Sequence, residues 1–192
     1  MTMEGLLGMS MGIGLSACCG FRVFLPLLAL SIGAKWGHIP LAPSYEWIGS
    51  WPILITLLTA TVCEILAYYI PWLDHALDTL MSPLSIIAGT FITFSTFTAD
   101  LPTSQKLILA LIAGGGAAGV IQTGSVIART TSGVTTLGLG NFLVSTLELL
   151  SAIVGIFLSI FLPLLVILII GIVLFFIIRK IFQNHKPNTT GA

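Results

Sequence analysis

Residues 14–26 read G-L-S-A-C-C-G-F-R-V-F-L-P and place one arginine, Arg22, inside an apolar run that extends from Gly5 to Ala34. A guanidinium in such a run is ordinary at a protein surface and costly in a bilayer, so the setting of this stretch decides the fold. Composition gives the setting. Of 192 residues, 56% are hydrophobic and only 7% charged, against about 25% charged in soluble domains. A soluble fold could not solvate its surface with so few charges, whereas lipid-facing surface needs none. The reading is an all-α polytopic membrane protein with little mass outside the lipid bilayer.

Seven Lys+Arg balance seven Asp+Glu, which leaves no basic face for nucleic acid. Cys18, Cys19 and Cys63 all lie in apolar segments, without zinc-type spacing to histidine or to one another, so no metal or other cofactor is expected. Leu15-Ser16-Ala17-Cys18 resembles a lipoprotein cleavage box. The preceding M-T-M-E-G carries an acid where a signal peptide needs positive charge, and the apolar run continues past Cys18, so the segment is read as a retained first span.

A helix crossing roughly 30 Å of hydrocarbon needs about 20 apolar residues. Runs near 5–34, 51–70, 83–99, 107–128 and 142–178 qualify or nearly so. At about 1.5 Å per residue the last would be roughly 55 Å long, and Leu162-Pro163 is the natural break, because proline removes a donor and restricts its neighbour. Splitting there gives spans near 142–161 and 163–182. About six spans result within a single domain over 1–186, followed by a polar, disordered tail at 187–192. Arg179, Lys180 and Lys186 follow the last span, so the positive-inside rule places both termini in the cytoplasm of a bacterial inner membrane. Loops 71–82 and 129–141 would then be cytoplasmic. Loop 35–50, with Trp36, Tyr45 and Trp47, would face outward with its aromatic rings at headgroup level.

An offset of 107 residues sets Arg22 on Arg129 and also pairs Gly8 with Gly115, Gly12 with Gly119 and Ser16 with Thr123. Each half has one acid in its second span, Glu64 and Glu148. Two halves of three spans each would be related by inverted topology, each beginning with a broken or glycine-rich helix. Such segments point to a midplane site built on freed backbone groups, although small-xxx-small spacing equally serves close helix packing. An arginine at a span centre costs about 2.5 to 3.5 kcal/mol on insertion scales, which favours an interior-facing position with a carboxylate partner. Glu64 is the expected partner of Arg22, and Glu148 that of Arg129. The candidate ion- or solute-binding set is therefore Arg22, Glu64, Arg129, Glu148, Ser16 and Thr123. Asp74, His75 and Asp78, in the polar segment P-W-L-D-H-A-L-D, form a secondary candidate. They suit a metal or proton relay by residue type and equally suit solvated interfacial positions. No hydrolase, metalloprotease or P-loop motif occurs, so no catalytic residues are assigned and an enzyme is not expected.

The stretches G-L-S-A-C-C-G-F-R-V-F-L-P-L-L-A-L, I-P-W-L-D-H-A-L-D and N-F-L-V-S-T-L-E resemble an uncharacterised family of small bacterial integral membrane proteins catalogued as a domain of unknown function. Its pattern falls on Arg22, Phe24, Pro26, Glu64, Pro71, Leu73, Asp74 and His75. The resemblance implies membrane residence and weights those positions, and it implies no activity. Together these features point to a transporter or channel for a small ion or polar solute. A chain this small leaves little room for two-sided gates, which suggests a homodimer. The alternatives are a non-catalytic scaffold or assembly factor whose ion pairs fix helix register, and a metal-dependent membrane enzyme working through the secondary set.

Overall fold

The structure, a computed structural model, describes residues 3–98, 101–136 and 139–163, together with positions 165, 168, 169, 172, 175, 176 and 179. The fold is all-helical. Its elements are α1 (Met3–Cys18), α2 (Phe24–Lys35), a 3-10 turn (Pro43–Gly49), α3 (Trp51–Ala67), α4 (Pro71–Thr96), α5 (Thr103–Ala110), a π-helical turn (Leu111–Gly115), α6 (Gly116–Thr136) and α7 (Leu139–Phe161). Proline begins α4 and sits in the first turn of α3, where its missing N–H has no helical acceptor to lose. Gly37, at φ 71°, stops α2 as the left-handed residue after the cap. There the His38 N–H returns to the Gly33 carbonyl at 2.8 Å. Leu162-Pro163 ends α7 where the sequence placed the break.

The run 5–34 is not one span. α1 starts beside the C-terminal end of α4, where a Cβ on Gly8 would lie 2.8 Å from the Thr96 carbonyl and 3.4 Å from Pro40. It then descends α4 until Ser16 donates to the Gly89 carbonyl at 2.6 Å and pairs with the Thr93 hydroxyl at 2.8 Å. The chain turns over Cys19–Val23, and Val23 and Phe24 line one crevice with Leu84 and Ala88, halfway along α4. α2 then climbs back, and beyond it the Ala42 N–H donates to the Ser95 carbonyl at 2.9 Å while Tyr45 packs edge-on against Phe91 and Phe94. α1 and α2 are thus antiparallel arms of a helical hairpin, of roughly 24 and 18 Å at 1.5 Å per residue. The start of α1 shares an end of the bundle with loop 35–50, which corrects the expectation that they lie on opposite faces.

α4 is the central strut, clasped by both glycine-rich helices. A Cβ at Gly12 would overlap the Thr96 side chain, one at Gly89 would lie 2.8 Å from both Ala118 Cβ and the Gly114 carbonyl, and one at Gly119 would lie 3.2 Å from Ile86. Both small-xxx-small segments therefore serve close approach to α4. They also run in the same direction: α1 meets Thr96, Thr93 and Gly89 in turn, while Gly114, Gly115 and Gly119 of the second segment meet Thr93, Thr90 and Ile86. The offset of 107 therefore does not relate these two helices by inversion.

Among the described residues, three helical stretches are long and apolar enough to cross a membrane, Leu77–Thr96, Thr103–Gly133 and Phe142–Phe161. α3 makes a fourth if joined to its preceding 3-10 turn across a 61° bend. The segment 71–82, expected as a loop, is the first part of α4, so the helix that holds the span read as 83–99 begins a dozen residues earlier, at Pro71. The segment from Arg129 onward, also expected as a loop, is likewise helical through Thr136. The expected tail, 187–192, lies outside the described residues.

Candidate functional site

At the hairpin tip, the last carbonyls of α1 are closed by short turns, with Cys19, Gly20 and Phe21 N–H donating to Ser16, Ala17 and Cys18 at 3.0 to 3.1 Å. The first amides of α2 point onward with no local cap. Glu64, reaching across from α3, receives them: the Val23 N–H donates to Oε1 at 2.7 Å and the Phe24 N–H to Oε2 at 3.0 Å. A carboxylate at a helix N-terminus satisfies orphan donors and complements the helix dipole at once. Glu64 is thus the cap of α2 rather than the bidentate partner of Arg22, which corrects the expected pairing.

Arg22 is 1% exposed and instead crosses to α7, where Nη2 donates to the Ser145 carbonyl at 3.0 Å and to its Oγ at 2.5 Å. Its guanidinium carbon stands 3.9 Å from the centre of the Tyr68 ring. The guanidinium of Arg129 stands 4.1 Å from the same centre, and at that distance each face of a ring holds one guanidinium. Tyr68, just past α3, therefore separates two like charges while offering each a π face.

Arg129 has carboxylate partners. Its Nε donates to both oxygens of Glu148 at 3.0 and 2.9 Å, its Nη2 bonds Glu148 Oε2, and its Nη1 bonds Asp78. Ser125, one turn earlier on α6, donates to Glu148 Oε1 at 2.6 Å. Arg129 is 1% exposed, so it does not snorkel to the interface. The expected Arg129–Glu148 pair is present and is enlarged by Asp78, which the sequence placed in a solvated loop. The signal for Asp78 was available: Asp78, Ser85, Gly89, Thr93 and Thr96 form one buried stripe at helical spacing. Tyr68, Ser145 and Gln122 carried no signal above the general abundance of such residues in membrane helices.

Arg22, Glu64, Arg129 and Glu148 thus converge around Tyr68 in the interior of the bundle. Ser16 and Thr123 do not join them. Ser16 is buried in the contact between α1 and α4, and Thr123 is exposed, with its hydroxyl returned to the Gly119 carbonyl of its own helix at 2.8 Å. The side chains of Asp74 and His75 lie outside the described residues, and Asp78 is committed to Arg129. Among the described residues, no group of three histidine, cysteine or acidic side chains has a metal-binding arrangement. Beside the charged cluster, a crevice of about 420 Å3 between α6 and α7, lined by Phe21, Ile121, Leu147 and Ser151, reaches Ser125 and Glu148.

No curated protein and no solved structure matches the chain. Residues 9–183 match the family model described as Domain of unknown function (DUF4126). With nearly the whole sequence covered, the chain belongs to that family of helical, membrane-associated proteins.

Proposed function

We propose that the protein moves a small ion or polar solute across the bacterial cytoplasmic membrane through a site at the tip of the hairpin. The reading rests on one observation: a non-helical turn, Cys19–Val23, carries a buried arginine into the interior of the bundle. Irregular backbone inside a membrane protein is tolerated where protein or a polar cavity surrounds it, and the freed ends of broken helices are a recurrent way transport proteins hold a solute. In this reading Arg22 meets the solute, and Glu64 latches the helix that carries Arg22. The Arg129–Glu148–Asp78 group anchors α4, α6 and α7 as a fixed frame. The protein acts without catalysis, and a second copy of the chain completes the gates.

The sealed ion pairing of Arg129 favours a second reading, a scaffold in which buried charge fixes helix register. Reconstitution into liposomes separates the two. Flux of inorganic ions or small polar solutes that is lost in Arg22→Met, with the variant still folded in detergent, supports transport. An Arg22→Met protein that loses its fold, in liposomes where the parent protein shows no flux, supports the scaffold.

A further inference from the structure

Two side chains, Arg22 in the hairpin turn and Gln122 on α6, are left with unmet hydrogen-bond donors. Arg22 uses only Nη2 on protein acceptors, and its Nε and Nη1 are buried with no acceptor among the described residues. Gln122 is 3% exposed, and its Nε2 is unmet in the same sense. They belong to one neighbourhood. A Cβ at Gly20 would lie 2.6 Å from the Ala118 carbonyl and 2.7 Å from the Gln122 N, so the turn carrying Arg22 seats on α6 at Gln122. Gln122 shares the buried face of α6 with Ala118, Ser125 and Arg129.

Nearby carboxylates are engaged elsewhere. Both oxygens of Glu64 accept α2 amides, and both oxygens of Glu148 accept from Arg129. Arg22 is therefore a buried cation without a hydrogen-bonded counter-ion among the described residues. Unmet buried donors are destabilising, and more so when charged. A buried charge without a partner is more costly still.

We propose that the hairpin tip binds a small inorganic monoanion of halide or nitrate size, held by Arg22 Nε and Nη1 and by Gln122 Nε2. An anion answers both demands, since it accepts hydrogen bonds and supplies the missing negative charge. The close seating of Gly20 on α6 selects for small size. The inference deepens the transport reading and rests on it for the solute's identity, while the site itself can be tested alone.

The experiment is thermal unfolding of the full chain in detergent, in sodium chloride or nitrate against sodium gluconate at matched ionic strength. The expected result is a saturable rise in Tm with chloride or nitrate. Gln122→Leu should be at least as stable as the parent in gluconate, because it removes an unmet donor. Its midpoint for the anion should be weaker by about tenfold, and Arg22→Gln should abolish the response. A Tm independent of the anion, or a response that Gln122→Leu and Arg22→Gln leave unchanged, overturns the proposal and leaves the donors to water. Liposome flux with the same salts separates this result from the broader reading. Saturable anion binding without flux keeps the site and removes transport. Flux of a cation or neutral solute without anion binding keeps transport and removes the site.

Discussion

Arg22 and Arg129 are equally buried, stack on opposite faces of one tyrosine, and differ in nearly everything else. Arg129 sits within a continuous helix and meets two carboxylates from two other helices. Arg22 sits in a turn between two short helices and meets a serine. The first arrangement saturates its donors and ties three long helices together. The second keeps donors in reserve at a place where the backbone itself is irregular. Burial alone therefore does not tell the two arginines apart; the state of their hydrogen bonds does.

The contrast can be broken or sharpened by substitution. The largest effect is expected at Arg129, because Arg129→Leu strands Asp78 and Glu148 in the interior. Breaking a buried pair in this way costs about 3 to 5 kcal/mol, read as a collapse of Tm or of monodisperse yield in detergent. Adding Asp78→Asn and Glu148→Gln to the same chain should recover most of the loss, and a triple variant as unstable as the single one would refute the anchoring role. Next comes Glu64→Gln, which presents an amide to two backbone donors and should cost about 1.5 to 3 kcal/mol. Its signature is faster hydrogen exchange at the Val23 and Phe24 amides, and unchanged exchange would mean that α2 is held by something other than Glu64. Tyr68→Leu removes the shared ring and should cost about 1 to 2 kcal/mol. A double-mutant cycle with Arg22→Met should show coupling, whereas strict additivity would deny the stack. The smallest effect on stability is expected from Arg22→Met, about 1 kcal/mol or less, because no carboxylate is stranded. A loss as large as that of Arg129→Leu would erase the distinction between the two arginines.

Much of the site was legible in the sequence, because an ionisable residue in an apolar span must face the interior. That rule alone selected Arg22, Glu64, Arg129 and Glu148. The rule says nothing about who pairs with whom. Charge attraction pairs Glu64 with Arg22, whereas the orphan amides of α2 exist only because the chain breaks there. The break hid for a related reason: α1 and α2 are both apolar without a strong polar face, so periodicity carries no boundary. The break's markers, Gly20 and Pro26 in the first turn of α2, flank it on either side rather than lying at one point. Asp78 was misplaced because polarity around Pro71 and Pro83 imitates a loop, although proline is tolerated inside α4. There the Ser82 hydroxyl donates to the Asp78 carbonyl at 2.7 Å. The close of α7 before Pro163 was legible because length and proline agreed on it.

The bond between Arg22 and Ser145 joins residues 123 apart in the chain, which carries a consequence for biosynthesis. At ribosomal speeds of about 5 to 20 residues per second, the hairpin waits on the order of ten seconds for its acceptor on α7. Its two arms, each too short to cross the bilayer, have no reason to insert as independent spans in that interval. The segment of the fold made first is therefore completed late, docking into a groove that later helices must first build. A chain halted before Leu139 should leave the hairpin tip open to a water-soluble reagent, and the finished chain should protect it.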